Sequence, residues 1–265
     1  MKKPFRRKDG QTPAKGAYLL PNLLTTASLF SGFYAIIAAV NNDFQQAAWA
    51  ILISGILDGL DGRVARLTGT TSRFGIEYDS LSDLVAFGVA PGILCFIWGL
   101  QGFGRLGWLA AFLYVATTAL RLARFNTLGL GGYSSTRYFI GLPCPSAAAL
   151  MATTILLADF FGAHSKVDCG IVVFMVYALS FLMVSNIKYS SFKELPWFNQ
   201  HPFSGLVLVV LVLVVMALEP KVTLFAVALT YVVSGPFLFL FRTLFRRKKS
   251  DENAVTLSSR ENSDG

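Results

Sequence analysis

Residues 58–83 read Asp58-Gly-Leu-Asp61-Gly62-Arg-Val-Ala65-Arg66, eight further residues, then Gly75-Ile-Glu-Tyr-Asp79-Ser-Leu-Ser-Asp83. Four aspartates, two glycines, an alanine and an arginine stand at fixed spacing in a chain that is otherwise soluble in lipid. A carboxylate in a membrane-spanning helix costs roughly 2.5–3.5 kcal/mol on insertion scales, so Asp58 and Asp61 together cost about 5–7 kcal/mol before any partner is counted. Acids that expensive persist where the charge is used, and pairs spaced three and four apart suggest a divalent cation.

The flanking sequence sets the context. Of 265 residues, 54% are hydrophobic and 14% charged, and the mean hydropathy is +0.56. That is the profile of a polytopic membrane protein. Apolar runs long enough to span a bilayer fall near 20–40, 45–66, 79–99, 107–127, 142–161, 169–187, 203–218 and 222–241. The expectation is an all-α transmembrane bundle of about eight spans. It divides into a basic segment at 1–19, a membrane domain at 20–241 and a basic, then disordered, tail at 242–265. No cleavable leader is read, because a long basic head precedes the first run.

Both ends are positive: Lys2, Lys3, Arg6, Arg7, Lys8 and Lys15 at the head, Arg242, Arg246, Arg247, Lys248 and Lys249 at the tail. The positive-inside rule then puts both termini in the cytoplasm, consistent with an even span count. The formal net charge of +8 reads as a topology and anionic-lipid signal. Nucleic acid is excluded as a partner, since the charges flank membrane runs rather than line one face. Cys95, Cys144 and Cys169 lack metal-type spacing and read as packing residues. His164 and His201 fall in opposite loops.

At 100° per residue, positions 58, 61, 62 and 65 share one face of a helix, and so do 79 and 83. The connection between Arg66 and Gly75 turns the chain, so the four acids can meet at one depth. Gly62 and Ala65 leave room beside them for a bulky group, and Arg66 is placed for a phosphate. Oxygen ligands without Cys or His favour a hard cation, Mg²⁺ or Mn²⁺. A structural ion-pair network and a metal- or proton-coupled transport pathway are the competing readings of intramembrane acids. Against transport, no comparable polar residues continue toward the outside.

The string Asp58-x2-Asp61-Gly62-x2-Ala65-Arg66-x8-Gly75-x3-Asp79-x3-Asp83 resembles, without departure, the signature of the CDP-alcohol phosphatidyltransferases. Eight residue types at fixed offsets arise by chance on the order of 10⁻¹⁰ times per start position. The resemblance implies a helical membrane fold, a homodimer, and a metal held by Asp58, Asp61 and Asp79 with Asp83 beside them. It also implies Asp83 as the base that deprotonates the attacking hydroxyl. Asn22, Thr25, Gly62, Ala65, Arg66, Ser72 and Gly75 match positions on the side of CDP-diacylglycerol. The stretches Arg121-Leu-Ala-Arg124-Phe-Asn126 and Tyr138-Phe-Ile-Gly141-Leu-Pro143-Cys-Pro145 resemble bacterial members of the family whose acceptor is L-serine. They imply Arg121, Arg124 and Asn126 as serine-side residues. A guanidinium fork suits a carboxylate, although arginines there also serve as membrane anchors. Glycerol 3-phosphate, inositol (or its phosphate) and choline stay open as acceptors. The implied setting is the bacterial inner membrane, with the site facing the cytoplasm.

Overall fold

The computed structural model describes residues 19–130, 138–162, 170–190, 207, 210 and 214–261. Its helices are α1 (Leu19–Val40), α2 (Phe44–Leu67), α3 (Arg73–Phe103), α4 (Arg105–Leu130), α5 (Cys144–Phe160), α6 (Gly170–Val184) and α7 (Pro220–Glu261). By length and composition α1, α3, Arg105–Thr127 of α4 and Pro220–Leu240 of α7 can each cross a membrane. Helices α5 and α6 are shorter and apolar, and α2 is 24 residues long but carries the charges of the signature. Seven of the eight expected runs are thus helical, and most of 203–218 lies outside the described residues, as do the histidines and Cys169. Cys95 and Cys144 are buried, free thiols, in keeping with a packing role.

Three features depart from the sequence reading. Helix α3 begins at Arg73 rather than 79, because Ser72 caps it: its hydroxyl accepts from the Gly75 amide at 2.9 Å. The turn from α2 is therefore only Thr68–Ser72, and Gly69 supplies its positive φ of 64°. Helix α7 continues to Glu261, where a disordered tail was expected. No glycine or proline follows Pro236 in that stretch, so nothing local breaks the helix. The third departure is a strand pair in an otherwise helical chain: β1 (Tyr138–Ile140) runs antiparallel to β2 (Lys188–Ser190). It closes on Gly141, whose φ is 78° and where an added Cβ would strike the Met183 carbonyl. Only glycine fits there.

Two crossings position the site. Helices α1 and α2 approach through small residues, with Ser28 and Ser54 hydroxyls 2.7 Å apart and Ser31 donating to the Ala50 carbonyl at 2.8 Å. Small residues and interhelical hydrogen bonds are what hold helices together where lipid offers no hydrophobic drive. Helix α1 also meets α3 at Gly32, where an added Cβ would lie 2.7 Å from the Ala86 Cα. Within α3 the turns widen over Leu84–Val89, the Ala90 amide reaching back to the Val85 carbonyl, a pattern that adds slack to a helix. Pro91 follows and has no N–H for the Phe87 carbonyl four residues earlier. The wholly buried Tyr114 supplies the missing donor from α4, its hydroxyl 3.0 Å from that carbonyl. An unpaired carbonyl at this depth would otherwise be costly.

Candidate active site

The capped start of α3 and the end of α2 bring the acids together. One carboxylate oxygen each from Asp58, Asp61 and Asp79 lies within 4.8 Å of the other two. Asp61 is buried at 5% exposure and accepts a hydrogen bond from the Thr25 hydroxyl at 2.7 Å. Thr25 in turn is seated by α3, since the Ser82 hydroxyl donates to its carbonyl at 3.2 Å. Asp83 stands outside the trio, in side-chain hydrogen-bond contact with Asp58. One buried oxygen each of Asp79 and Asp83 has no hydrogen-bond partner among the described residues.

Those orphaned oxygens test the metal. Buried carboxylate oxygens without donors are expensive, and three acids from two helices at this separation form an all-oxygen donor set. The residues therefore fit a hard divalent cation. Against the ion-pair reading, no salt bridge to the trio is found among the described residues; Arg66 is a basic neighbour, within electrostatic range of Asp61.

A cleft of about 600 Å³, counted to its open mouth, adjoins the trio. Its walls include Asn22, Thr25, Gly62, Ala65, Arg66, Ser72 and Gly75 as well as Asp61 and Asp79. All seven positions assigned from the sequence to the nucleotide-lipid side thus converge on one opening. The Arg66 guanidinium folds back over Gly62, where a Cβ would lie 3.5 Å from Nη1. Gly75 is tighter: a Cβ there would sit 3.1 Å from the Ser72 hydroxyl and 3.5 Å from Asn22 Oδ1. Thr70 and Thr71 line the same cleft and were not singled out in the sequence. Their only signal was two more hydroxyls in the turn before Ser72.

The three serine-side candidates do not converge. Arg121 is partly buried and donates from Nη1 to Cys144 Sγ at 3.3 Å. Arg124 is exposed and donates to Asn186 Oδ1 at 3.2 Å. Asn126 reaches α3, donating to Ser80 Oγ at 3.0 Å and Glu77 Oε2 at 3.3 Å.

Residues 18–233 match the CDP-alcohol phosphatidyltransferase family. The chain belongs to the CDP-alcohol phosphatidyltransferase family. Among curated relatives of this phosphatidyltransferase, a Helicobacter pylori (strain J99) protein named CDP-diacylglycerol–serine O-phosphatidyltransferase is 41% identical, over 90% of this chain and 99% of its own length. A Mycobacterium leprae protein of the same name is 34% identical, over 83% of this chain and 74% of its own. An archaetidylserine synthase of Methanothermobacter thermautotrophicus is 37% identical, over 64% and 69%. This is an integral membrane phosphatidyltransferase of a metal-dependent family, and its aspartate trio has the donor set for a metal.

Proposed function

We propose that the protein transfers the phosphatidyl group of CDP-diacylglycerol to the hydroxyl of L-serine, yielding phosphatidylserine and CMP. The observation that carries this is the aspartate trio set against one cleft, whose walls hold Asp61, Asp79 and all seven nucleotide-side positions, together with relatives named for that reaction.

In this reading Asp58, Asp61 and Asp79 hold Mg²⁺ or Mn²⁺, with Asp83 at the edge. A divalent cation bound there would supply positive charge to offset that of the diphosphate. Thr25 orients Asp61 by donating a hydrogen bond to its Oδ2. Arg66 takes a phosphate oxygen, while Asn22, Ser72 and the bare surface of Gly62, Ala65 and Gly75 receive the cytidine end. Asp83 takes the serine hydroxyl proton on its unpartnered oxygen. The serine oxygen forms its bond to the phosphorus that bears diacylglycerol, and the bond from that phosphorus to the CMP oxygen breaks. Arg121, rather than the exposed Arg124 or the α3-bound Asn126, holds the serine carboxylate.

The basic ends of the chain support a cytoplasmic site in a bacterial inner membrane, and the reading includes a homodimer. The test is an acceptor panel: protein in detergent micelles with CDP-diacylglycerol and Mg²⁺ or Mn²⁺, scored by CMP release. Release that depends on serine is expected. Release with glycerol 3-phosphate, inositol, inositol phosphate or choline instead would replace serine as acceptor. No release with any alcohol would remove the transferase reading.

A further inference from the structure

We infer that Thr70, in the turn between α2 and α3, selects the base of the nucleotide: its hydroxyl oxygen accepts a hydrogen bond from the exocyclic amine of cytosine. It offers nothing to the carbonyl that uracil carries at the same place. This rests on the nucleotide-lipid reading of the cleft given above and names the residue that would make it specific for cytidine.

A count of protons carries the assignment. Each threonine hydroxyl has one proton to give and two lone pairs. Thr68, the C-cap of α2, gives its proton to the Val64 carbonyl at 2.8 Å, with the Ala65 carbonyl more distant at 3.5 Å. Its Oγ1 also lies 2.7 Å from Thr70 Oγ1. With the Thr68 proton already placed, that second bond takes the proton of Thr70. Thr70 is thereby left as an acceptor alone, 3% exposed, on the wall of the cleft. Its amide is used as well, donating to the Ala65 carbonyl at 3.1 Å, which ties the residue to the end of α2. None of the described residues donates to its oxygen. A buried acceptor in that condition gains from a ligand that brings a donor. Ser72, two residues on, has the opposite polarity: its oxygen accepts from the Gly75 amide at 2.9 Å, so its own proton is left for a ligand oxygen.

What can answer Thr70 follows from the chemistry of the substrate. At neutral pH neither a diphosphate diester nor the acyl esters of diacylglycerol carry a donor, so the oxygen faces the nucleoside. The donors there are the ribose hydroxyls and the cytosine amine. A ribose hydroxyl both gives and accepts, and a threonine of either polarity would satisfy it. An amine of the base only gives, and uracil replaces it by an oxygen that only accepts. A hydroxyl locked as an acceptor separates those two bases, attracting one and opposing the other. Thr70 would touch the base, and Thr68 is a positioning residue that fixes the direction of its proton.

Isothermal titration of CDP, UDP and deoxycytidine diphosphate into the full-length protein, in detergent micelles with Mg²⁺, tests this in wild type, Thr70→Val, Thr70→Ser and Thr68→Val. Wild type should bind CDP at least about tenfold more tightly than UDP, the size of a hydrogen bond exchanged for an unpaired buried group. Thr70→Val should bring the two within about twofold by weakening CDP, and Thr70→Ser should keep the preference. Thr68→Val returns the Thr70 proton to the cleft and should narrow the preference from the other side, by tightening UDP. An intact preference in either valine variant would overturn the inference. Equal weakening of CDP and UDP in Thr70→Val would also overturn it, reducing Thr70 to a structural role. A loss confined to discrimination against deoxycytidine diphosphate would overturn it in favour of the ribose. Wild type that binds CDP and UDP alike overturns the inference alone. Wild type that binds neither overturns the nucleotide reading of the cleft with it.

Discussion

The wall proposed for the nucleotide is built from near neighbours: α2, a five-residue turn and the start of α3, braced by Asn22 and Thr25 of α1. The acceptor side proposed here is dispersed: Arg121 of α4 donates to Cys144 of α5, 23 residues further on. Diphosphate binding needs several oxygens and backbone surfaces at fixed offsets, which one helical hairpin can present as a repeating spacing. Recognition of a small alcohol needs one or two donors, and any helix that passes nearby can supply them. The first kind of wall leaves a signature in the sequence, and the second leaves single residues.

That contrast is most sharply broken or upheld by removing the metal. Chelation should abolish CMP release, and Mg²⁺ or Mn²⁺ should restore it; release that persists in chelator would dissolve the role given to the aspartate trio. Next in size, Asp83→Asn should slow turnover by roughly 10²–10⁴-fold, the usual contribution of a positioned base. Binding of CDP-diacylglycerol, read as a ligand-induced rise in melting temperature, should remain. Wild-type turnover in that variant would leave Asp83 without its proton.

A third test probes what holds the nucleotide wall in place. Gly32→Leu forces a side chain against the Ala86 backbone, and overpacking of that kind costs about 1–3 kcal/mol. The melting temperature should fall and turnover with it, because α3 carries Asp79 and Asp83. An unchanged melting temperature would mean that the α1–α3 crossing yields easily. The smallest effect sharpens the acceptor side. Arg121→Ala should raise the serine KM about tenfold or more, while exposed Arg124→Ala should change it by less than about twofold. Equal effects would return both arginines to membrane anchoring.

The membrane bundle, seven of its helices and seven residues of the cleft beside Asp61 and Asp79 were legible in the sequence, because hydropathy and fixed spacing are local signals; Thr70 and Thr71 of that cleft were not. What was not legible depends on contacts between distant positions. Ser72 looked like a ligand residue and is also the cap that starts α3 six residues early. Thr25 lines the cleft as expected, yet its hydroxyl is spent on Asp61. Arg121 and Arg124 share a helical face by spacing, but α5 partly covers one while the other stays exposed beside Asn186. At the other end of the bundle a depression of about 630 Å³ is lined by Asn42, Asp43, Gln45, Gln46, Trp98 and Asp159. It holds none of the signature residues, and its Asp159 is already paired with Lys221.

The widened turns at Leu84–Val89 lie directly after Asp83. A stretch of that kind is an ordinary helix with one surplus residue threaded in, and each residue carries about 100° of rotation. A chain one residue shorter there would keep its hydropathy, its length class and its signature intact. It would nonetheless swing Asp79 and Asp83 about a quarter-turn away from Asp58 and Asp61. The aim of these two carboxylates is thus set by a miscount in the helix, made downstream of them and held in place by a proline and a tyrosine.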